Sequence, residues 1–174
     1  MNNSVVMGIC HALSHAGIAS LRFNFRGAGK SQGTYDDGRG EIDDALAALK
    51  FLSSREQIEQ HNVGLAGYSF GAGIAMKAAL QDNLPIALSV VARAKIDPED
   101  DLNLRPSLPM QFVVGDQDLL MPLDQFNNLS TKLTVPPEMH IMPGADHFFH
   151  GHENELGELV ASFFLRWLKP VTLI

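Results

Sequence analysis

The stretch VGLAGYSFGAGIAM, residues 63–76, places a serine between a run of strand formers and a run of helix formers. Its centre, GYSFG, matches G-x-S-x-G, in which small neighbours allow the serine to sit on a sharp turn with its hydroxyl exposed. The pattern predicts a strand over residues 62–68, a helix over residues 70–81 and Ser69 as a nucleophile. The Phe70 N–H, at the start of the helix, would donate to an oxyanion. The alternative is an ordinary tight turn that carries a serine by chance.

A base and an acid are also present in the later part of the chain. A serine hydroxyl becomes a good nucleophile when a base removes its proton, and that base needs an acid to orient it. GDQD closes one apolar run and GADHFF follows another, so both segments are expected at strand ends. We assign His147 as the general base and Asp118 as the orienting acid. Asp116 is the rival acid, although a loop-capping role suits it better.

Helical and strand periodicities alternate along the whole chain. Helices are predicted over residues 3–15, 42–52, 70–81, 122–133 and 156–168, and strands over residues 18–25, 62–68, 86–92, 111–115 and 138–142. Alternation of this kind predicts a mainly parallel sheet with helices on both faces, which is a three-layer α/β/α sandwich. The chain has 174 residues and shows no internal repeat or linker, so one domain over residues 1–174 is expected.

The motifs GYSFG, GDQD and GADHFF resemble landmarks of the α/β-hydrolase superfamily, in the same order. The chain looks most like the small lidless bacterial members related to dienelactone hydrolases and acyl esterases. This resemblance implies the α/β-hydrolase fold and a serine hydrolase that requires no cofactor. It also implies that Ser69, Asp118 and His147 form a catalytic triad. Dienelactone hydrolases commonly have cysteine where this chain has Ser69, which counts against that variant.

FNFRGAGKSQG, residues 23–33, contains the letters GKS of a phosphate-binding loop. A P-loop requires a glycine five positions before the glycine of its Gly-Lys-Ser, and Asn24 occupies that position. The chain then continues into turn-forming residues, whereas a P-loop opens directly into a helix. Nucleotide binding is therefore not expected. By resemblance, the stretch is the Arg-Gly-x-Gly-x-Ser turn of the superfamily, an architectural loop near the active site.

The resemblance does not include the first strands of the superfamily fold. Superfamily members usually have about three further strands, and the loop after the third supplies a second oxyanion donor. We therefore expect an α/β-hydrolase fold without its first strands, with Asn2 or Asn3 as candidates for the second donor. The missing strand would lie between the strands predicted over residues 18–25 and 62–68. These two strands are expected to pair directly, or a neighbouring chain covers the edge, which makes a homodimer plausible.

The site is expected to be open, because residues 93–109 are too few to form an independent cap domain. Aromatic and apolar side chains near the predicted triad are candidates for the acyl pocket; they are Tyr68, Leu119, Leu120, Met121, Phe148 and Phe149. Structural packing explains Leu119, Leu120, Met121, Phe148 and Phe149 about equally well. An open and partly apolar cleft favours short-chain acyl esters.

The bulk properties exclude several classes of partner. The formal net charge is −7 and no Lys/Arg cluster is present, which argues against nucleic acid or an anionic membrane and favours a small-molecule substrate. No stretch is long and apolar enough to span a bilayer and the N-terminus has no basic leader, so a cytoplasmic location is expected. Cys10 is the only cysteine and is expected to pack inertly on a helix face.

Two clusters of titratable residues have ordinary explanations. Asp43 and Asp44 lie near a predicted helix start, where interaction with the helix dipole explains them better than a pair of catalytic carboxylates. His150 and His152 follow the predicted base in a polar loop, and their spacing matches no known metal site. No metal and no cofactor are therefore expected.

The sequence thus predicts a serine hydrolase of the carboxylesterase type, acting on small or short-chain acyl esters through an acyl-enzyme intermediate. The alternative is a catalytically impaired member of the fold that serves as a binding or interaction protein, because the oxyanion loop is missing. Labelling of Ser69 by a fluorophosphonate would distinguish the two hypotheses.

Overall fold

A computed structural model describes residues 2–59, 61–93, 106–133 and 135–170. In chain order its helices and strands are α1 (Ser4–His15), α2 (Arg39–Ser53), β1 (Val63–Tyr68), α3 (Phe70–Gln81), β2 (Pro85–Val91), β3 (Met110–Gly115), α4 (Leu123–Lys132), β4 (Glu138–Met142) and α5 (Glu153–Leu165). None of the helices in these ranges is both long enough and apolar enough to cross a bilayer. The cap expected to be absent between residues 93 and 109 falls mainly on residues 94–105, which lie outside the described residues.

The four strands form one parallel sheet in the order β1-β2-β3-β4. Every residue of β3 is buried, and only Ile86 of β2 is partly exposed. Continuous apolar runs of this kind are typical of parallel strands that are covered on both faces. The carboxyl ends of β1, β3 and β4 therefore lie along the same edge of the sheet, and each member of the predicted triad follows one of these ends.

Helices cover both faces of the sheet. One core cluster joins α1 and α5 to Ala87 and Val91 of β2. A second cluster joins α3 and α4 to Leu88 and Val90, whose side chains point to the opposite face. The buried side of α2 packs on α3 in a smaller cluster through Ile42. This arrangement confirms the predicted three-layer α/β/α fold.

Residues 18–25 do not form the strand that their alternation predicts. They lie outside the sheet, and among the described residues β1 pairs only with β2. Direct pairing of residues 18–25 with the strand of residues 62–68, the first of the two expected alternatives, is therefore wrong, while the second, a neighbouring chain that covers the edge, stays a prediction. An open cleft separates the two segments, with residues 18–23 and 25 on one side and residues 62–68 on the other. A strand requires a neighbour for its backbone hydrogen bonds, and sequence alternation alone cannot supply one.

Gly67 sets the distance between β1 and α3. A Cβ at this position would lie 2.2 Å from the Gly71 carbonyl oxygen and 2.7 Å from the Ala72 Cα, and both of these atoms belong to the backbone of α3. Only a residue without a side chain allows α3 to pass this close to the strand. The close approach fixes the turn between the two elements, which is where Ser69 lies.

We predict that Gly67→Ala destabilises the fold by about 1–3 kcal/mol or more, because the new methyl group collides with backbone that cannot move aside. Gly73→Ala is the matched control in α3, since a Cβ there has only the Arg93 Nε, 4.0 Å away, as a neighbour. Replacing glycine by alanine inside a helix typically adds up to about 1 kcal/mol of stability. Urea unfolding followed by circular dichroism measures both changes, and equal stability of the two variants would contradict this account.

Candidate active site

Ser69 lies in a backbone conformation that few non-glycine residues adopt. Its φ is 54° and its ψ is −119°, and such strained positions typically cost about 1–3 kcal/mol. The conformation is held from one side by a hydrogen bond of 2.9 Å from the Ser69 N–H to the Val91 carbonyl at the end of β2. On the other side, α3 begins at the next residue. The strand and the helix together therefore stabilise a turn that Ser69 would not adopt alone.

The hydroxyl of Ser69 points away from the helix that it precedes. A serine at the N-cap usually accepts a hydrogen bond from an amide of the first turn, but Ser69 makes no such cap to α3. Its Oγ lies 2.9 Å from the Nε2 of His147 instead. The hydroxyl is therefore oriented toward the imidazole, as a proton transfer from Oγ to Nε2 requires.

His147 connects Ser69 to Asp118. The Nδ1 of His147 lies 2.9 Å from the Asp118 Oδ2, and both side chains are buried. An ionised carboxylate can only accept, so Nδ1 carries the proton and Nε2 is left to accept from the Ser69 hydroxyl; this tautomer follows from the hydrogen-bond network. The three predicted residues thus form one continuous hydrogen-bonded chain.

The carboxylate of Asp118 is fixed by its own loop. Its Oδ1 accepts hydrogen bonds from the N–H groups of Leu120, at 2.8 Å, and Met121, at 3.0 Å. The rival acid, Asp116, lies on the same loop but its Oδ1 accepts from the Gly144 N–H at 2.7 Å. Asp116 therefore joins the loops after β3 and β4, while Asp118 contacts the imidazole.

One oxyanion donor is available from the turn itself. Phe70 is the first residue of α3, and the amides of the first helical turn have no acceptor within the helix. Its N–H lies at the positive end of the helix dipole, where developing negative charge is stabilised. The side-chain oxygen of Asn3, one candidate for a second donor, caps α1 by accepting from the Val6 N–H at 3.1 Å, and Asn2 is exposed.

Tyr68 contacts the loop that carries His147. Its hydroxyl donates to the His147 carbonyl oxygen at 3.0 Å, and the two rings lie 5.6 Å apart. Burial raises the pKa of Tyr68, with further contributions from the charges of Asp118 and Asp146. The hydroxyl is therefore a stable donor, and its bond to the loop backbone was not evident from the sequence.

The sequence profile of the dienelactone hydrolase family matches residues 30–172. The chain belongs to the dienelactone hydrolase family. An uncharacterized protein of Rickettsia prowazekii (strain Madrid E) is 34% identical, over 95% of this chain and 72% of its own length. The structure of an α/β serine hydrolase homologue from Coxiella burnetii is 38% identical with a TM-score of 0.84, over 93% of this chain and 76% of that one.

A lidless α/β serine hydrolase of Xanthomonas campestris is 31% identical and superposes with a TM-score of 0.86, over 99% of this chain and 77% of its own. Together with the family match, these folds confirm the resemblance to the α/β-hydrolase superfamily. The family and the fold support hydrolase activity.

The loop that follows His147 is held in place by the carboxylate of Asp146. The carboxylate of Asp146 lies 3.1 Å from the His150 Nδ1 and accepts from the Phe148 N–H at 3.0 Å. The hydrogen bond from His150 lowers the pKa of Asp146, although burial opposes the shift. His152, in turn, lies 3.2 Å from the Glu155 carboxylate. Both histidines are thus engaged with neighbouring carboxylates of the same segment.

The rim of the candidate active site, formed by Leu119 and Phe148, is apolar and exposed. Leu119 is 89% exposed, and Phe148 is 53% exposed with its ring 5.5 Å from that of His147. Met121 differs from the sequence-based expectation, because its side chain is buried in the same core cluster as Phe112 and Phe126. Met121 therefore packs beneath the acid loop and does not line the rim.

Two carboxylates of α2 fix the turn of residues 26–38 and were not predicted to do so. Asp44 accepts hydrogen bonds from the Arg26 backbone and guanidinium, including one of 2.8 Å from Nη2. Glu41 is fully buried and accepts from the Gly38 N–H at 2.9 Å. The ring of Tyr35, in the same turn, lies 5.8 Å from that of Phe70. The turn thus packs against the residue that carries the oxyanion donor.

We predict that Asp44→Asn lowers the free energy of unfolding at pH 7, because the Arg26 guanidinium loses its anionic partner. The hydrogen bond from Arg26 lowers the pKa of Asp44 in the folded state, so its stabilising effect is fully present above the unfolded value of about 3.9. That effect is lost as the pH falls through the lower folded pKa.

The difference between wild type and Asp44→Asn should therefore shrink in strongly acidic solution. Urea unfolding of both proteins at several pH values measures this dependence. The neighbouring Asp43 is exposed and serves as the control, since Asp43→Asn should change stability little at any pH. A difference for Asp44→Asn that stays constant through the acid range would show that the ion pair does not stabilise the turn.

Proposed function

We propose that this protein is a serine hydrolase of the carboxylesterase type, which cleaves small or short-chain acyl esters through an acyl-enzyme intermediate. The observation that carries the proposal is the hydrogen-bonded chain from Ser69 through His147 to Asp118, with distances of 2.9 Å at both steps. This chain supports the proposal because acyl transfer requires a nucleophile, a base and an orienting acid within hydrogen-bonding reach of one another. The serine hydrolase homologue of C. burnetii and the lidless serine hydrolase of X. campestris share this fold.

In the proposed reaction, Ser69 Oγ attacks the acyl carbonyl while His147 Nε2 takes its proton. The carbonyl oxygen becomes an oxyanion and accepts a hydrogen bond from the Phe70 N–H. His147 then donates its proton to the leaving alcohol as the C–O bond breaks, which leaves the acyl group on Ser69. Water attacks this ester with the same histidine as base, and the acid is released as Ser69 regains its proton. Asp118 orients the imidazole and stabilises its charged form.

Stabilisation of the oxyanion by hydrogen-bond donors is the most demanding requirement of this mechanism. Removing one donor from an oxyanion hole typically costs about 2.7–4 kcal/mol of transition-state stabilisation. Phe70 supplies one N–H from the turn, and Asn2 or Asn3 would supply the second. In Asn3 the amide nitrogen would be the donor, because its side-chain oxygen makes the helix cap.

The substrate should be a small neutral ester. The exposed side chains of Leu119 and Phe148 present apolar surface beside the triad, and Tyr68 lies against His147. An apolar surface of this kind binds a short acyl chain, while the net charge of −7 disfavours acidic polymers. Ser69 is an alcohol nucleophile, which suits an acyl esterase better than a cysteine-dependent lactone hydrolase.

A second candidate function is that of a binding protein that turns over no ester. The observation that favours it concerns the two candidates for the second oxyanion donor: the side chain of Asn3 caps α1 through its oxygen, and Asn2 is exposed. The two candidates differ in their response to a fluorophosphonate, which requires an activated serine. Stoichiometric labelling of Ser69 supports the hydrolase, whereas an inert serine in folded protein supports the binding protein.

We predict that Ser69→Ala lowers the turnover of p-nitrophenyl acetate and butyrate by at least about 10³-fold, because the nucleophile is lost. Ser54→Ala is the matched control: Ser54 caps the far end of α2 and donates to the Phe51 carbonyl. This control should keep wild-type turnover. Octanoate should be a poorer substrate than butyrate if the rim binds only short chains. Equal turnover by Ser69→Ala and wild type would contradict the proposal.

We predict that Tyr68→Phe lowers kcat by about 2- to 10-fold, because one hydrogen bond to the His147 backbone, typically worth about 0.5–1.5 kcal/mol, is lost. Tyr35→Phe is the control, since Tyr35 is 63% exposed and contacts Phe70 only through its ring. Steady-state kinetics on p-nitrophenyl butyrate separates kcat from KM. An effect confined to KM would mean that Tyr68 binds the substrate and does not position His147.

A further inference from the structure

The loop after β4 contains a second strained turn, which the proposed reaction does not account for. Phe149 has a φ of 53°, and a positive φ is a genuine outlier for a residue with a bulky side chain. Its ring is fully buried in the core cluster that includes residues of α1 and α5, whereas the preceding residue, Phe148, is 53% exposed. The turn therefore anchors one ring in the core and leaves its neighbour at the rim of the site. Such outliers concentrate at functional sites, where the surrounding structure holds them.

A single residue, Asp146, holds this turn. Its Oδ1 accepts hydrogen bonds from the N–H groups of Phe148, at 3.0 Å, and His150, at 3.3 Å. Its Oδ2 lies 3.1 Å from the His150 Nδ1, which carries the proton because an ionised carboxylate only accepts. The Asp146 carbonyl oxygen also accepts from the Phe149 N–H at 3.2 Å. Each residue from 148 to 150 is thus bonded to Asp146.

The exposed ring that this turn presents lies against the imidazole of the triad. The centroid of the Phe148 ring is 5.5 Å from that of His147, with an angle of 87° between the ring planes, and edge-to-face pairs at this distance are favourable. The Phe148 ring also lies 5.5 Å from the ring of His150. The imidazole of His147 is only 5% exposed, although its neighbour Phe148 reaches solvent. Phe148 therefore contacts both imidazoles and shields part of the one that belongs to the triad.

The imidazole of His147 needs restraint beyond its hydrogen bonds. Asp118 holds the Nδ1 edge of the ring, and the Tyr68 hydroxyl holds the backbone carbonyl of His147. A displacement of about 1 Å at a catalytic group lowers a rate by about 10²-fold, so catalytic side chains require neighbours that are themselves fixed. Phe148 is such a neighbour, because Asp146 binds its backbone N–H.

We propose that Asp146 and His150 are positioning residues of the active site, which hold the Phe148 ring against the imidazole of His147. This role rests on the proposed function, in which His147 is the general base. The hydrogen bond between His150 and Asp146 closes the turn, the turn presents Phe148, and Phe148 restrains the imidazole. His150 therefore acts on His147 through Phe148.

A double-mutant cycle tests this order of contacts. His150→Ala and Phe148→Ala should each lower kcat for p-nitrophenyl acetate by about 2- to 10-fold at unchanged KM, the effect of losing one restraining contact. The double variant should be no slower than Phe148→Ala, because residues that act through one another are not additive. His152→Ala is the matched control and should keep wild-type kcat, since His152 lies in the same segment but contacts Glu155.

His150→Asn separates the hydrogen bond from the imidazole ring. The asparagine amide retains an N–H donor for the Asp146 carboxylate, so this variant should keep kcat within about twofold of wild type. A loss as large as that in His150→Ala would show that the hydrogen bond to Asp146 does not close the turn, which contradicts the proposal.

Hydrogen exchange supplies a readout that needs no ester. NMR spectroscopy measures how fast the His147 Nδ1 proton exchanges with water. The exchange should be about 2- to 10-fold faster in His150→Ala and in Phe148→Ala, because the imidazole opens more often, and unchanged in His152→Ala. Phe148 is exposed, so its replacement keeps the fold even where His150→Ala does not. If the wild-type protein hydrolyses no ester, the proposed function fails and these exchange rates alone decide the positioning role.

Three results would overturn the proposal. The first is a double variant in which the fold-changes of the single variants multiply, and the second is unchanged exchange of the His147 Nδ1 proton in both single variants. The third is an effect of Phe148→Ala that is confined to KM and grows from acetate to butyrate, which would make Phe148 a residue that binds the acyl chain.

Discussion

The strained turn at Ser69 is the constraint on which the rest of the site depends. Its positive φ persists because the Ser69 N–H is bonded to the end of β2 and because α3 begins immediately after it. Gly67 allows α3 to approach β1 closely enough for this turn to close. If the backbone relaxed, the serine oxygen could return to its usual role as a helix cap and would lose its hydrogen bond to His147. The packing of α3 against β1 therefore determines the direction in which the Ser69 hydroxyl points.

The parallel sheet brings the other two side chains to this turn. The loops after β3 and β4 follow strands that pair in register, with Gly115 opposite Met142. They are also bonded to each other, since the Asp116 N–H donates to the Met142 carbonyl at 3.1 Å and the Gln117 N–H to the Ala145 carbonyl at 3.0 Å. Asp118 and His147 therefore sit on one connected structure, and the distance between them depends on the register of β3 and β4.

The parts of the fold that sequence predicted well are those determined locally. The α3 helix and the β4 strand lie within the predicted bounds, because periodicity and the glycines around Ser69 are short-range signals. The same holds for the order of serine, aspartate and histidine at strand ends. Residues 18–25 show the opposite case, since they alternate as a strand does but are not one of the four paired strands of the described sheet. A local pattern shows which secondary structure a segment can adopt, and pairing with a neighbouring strand determines whether a strand forms.

Interactions between distant segments explain the remaining differences. Nothing local to Arg26 indicates that Asp44 binds it, or that the Tyr68 hydroxyl reaches the backbone of His147. Met121 was chosen for its apolar character, which suits a pocket and a core equally, and only the packing of α4 shows that it is buried.

The two edges of β1 link the candidate active site to the cleft. The inner edge ends in the bond that holds Ser69 to β2, while the outer edge faces the cleft. The pairing of β1 with β2 therefore acts on Ser69 directly, because separation of the two strands at Tyr68 and Val91 would also release the Ser69 N–H from the Val91 carbonyl.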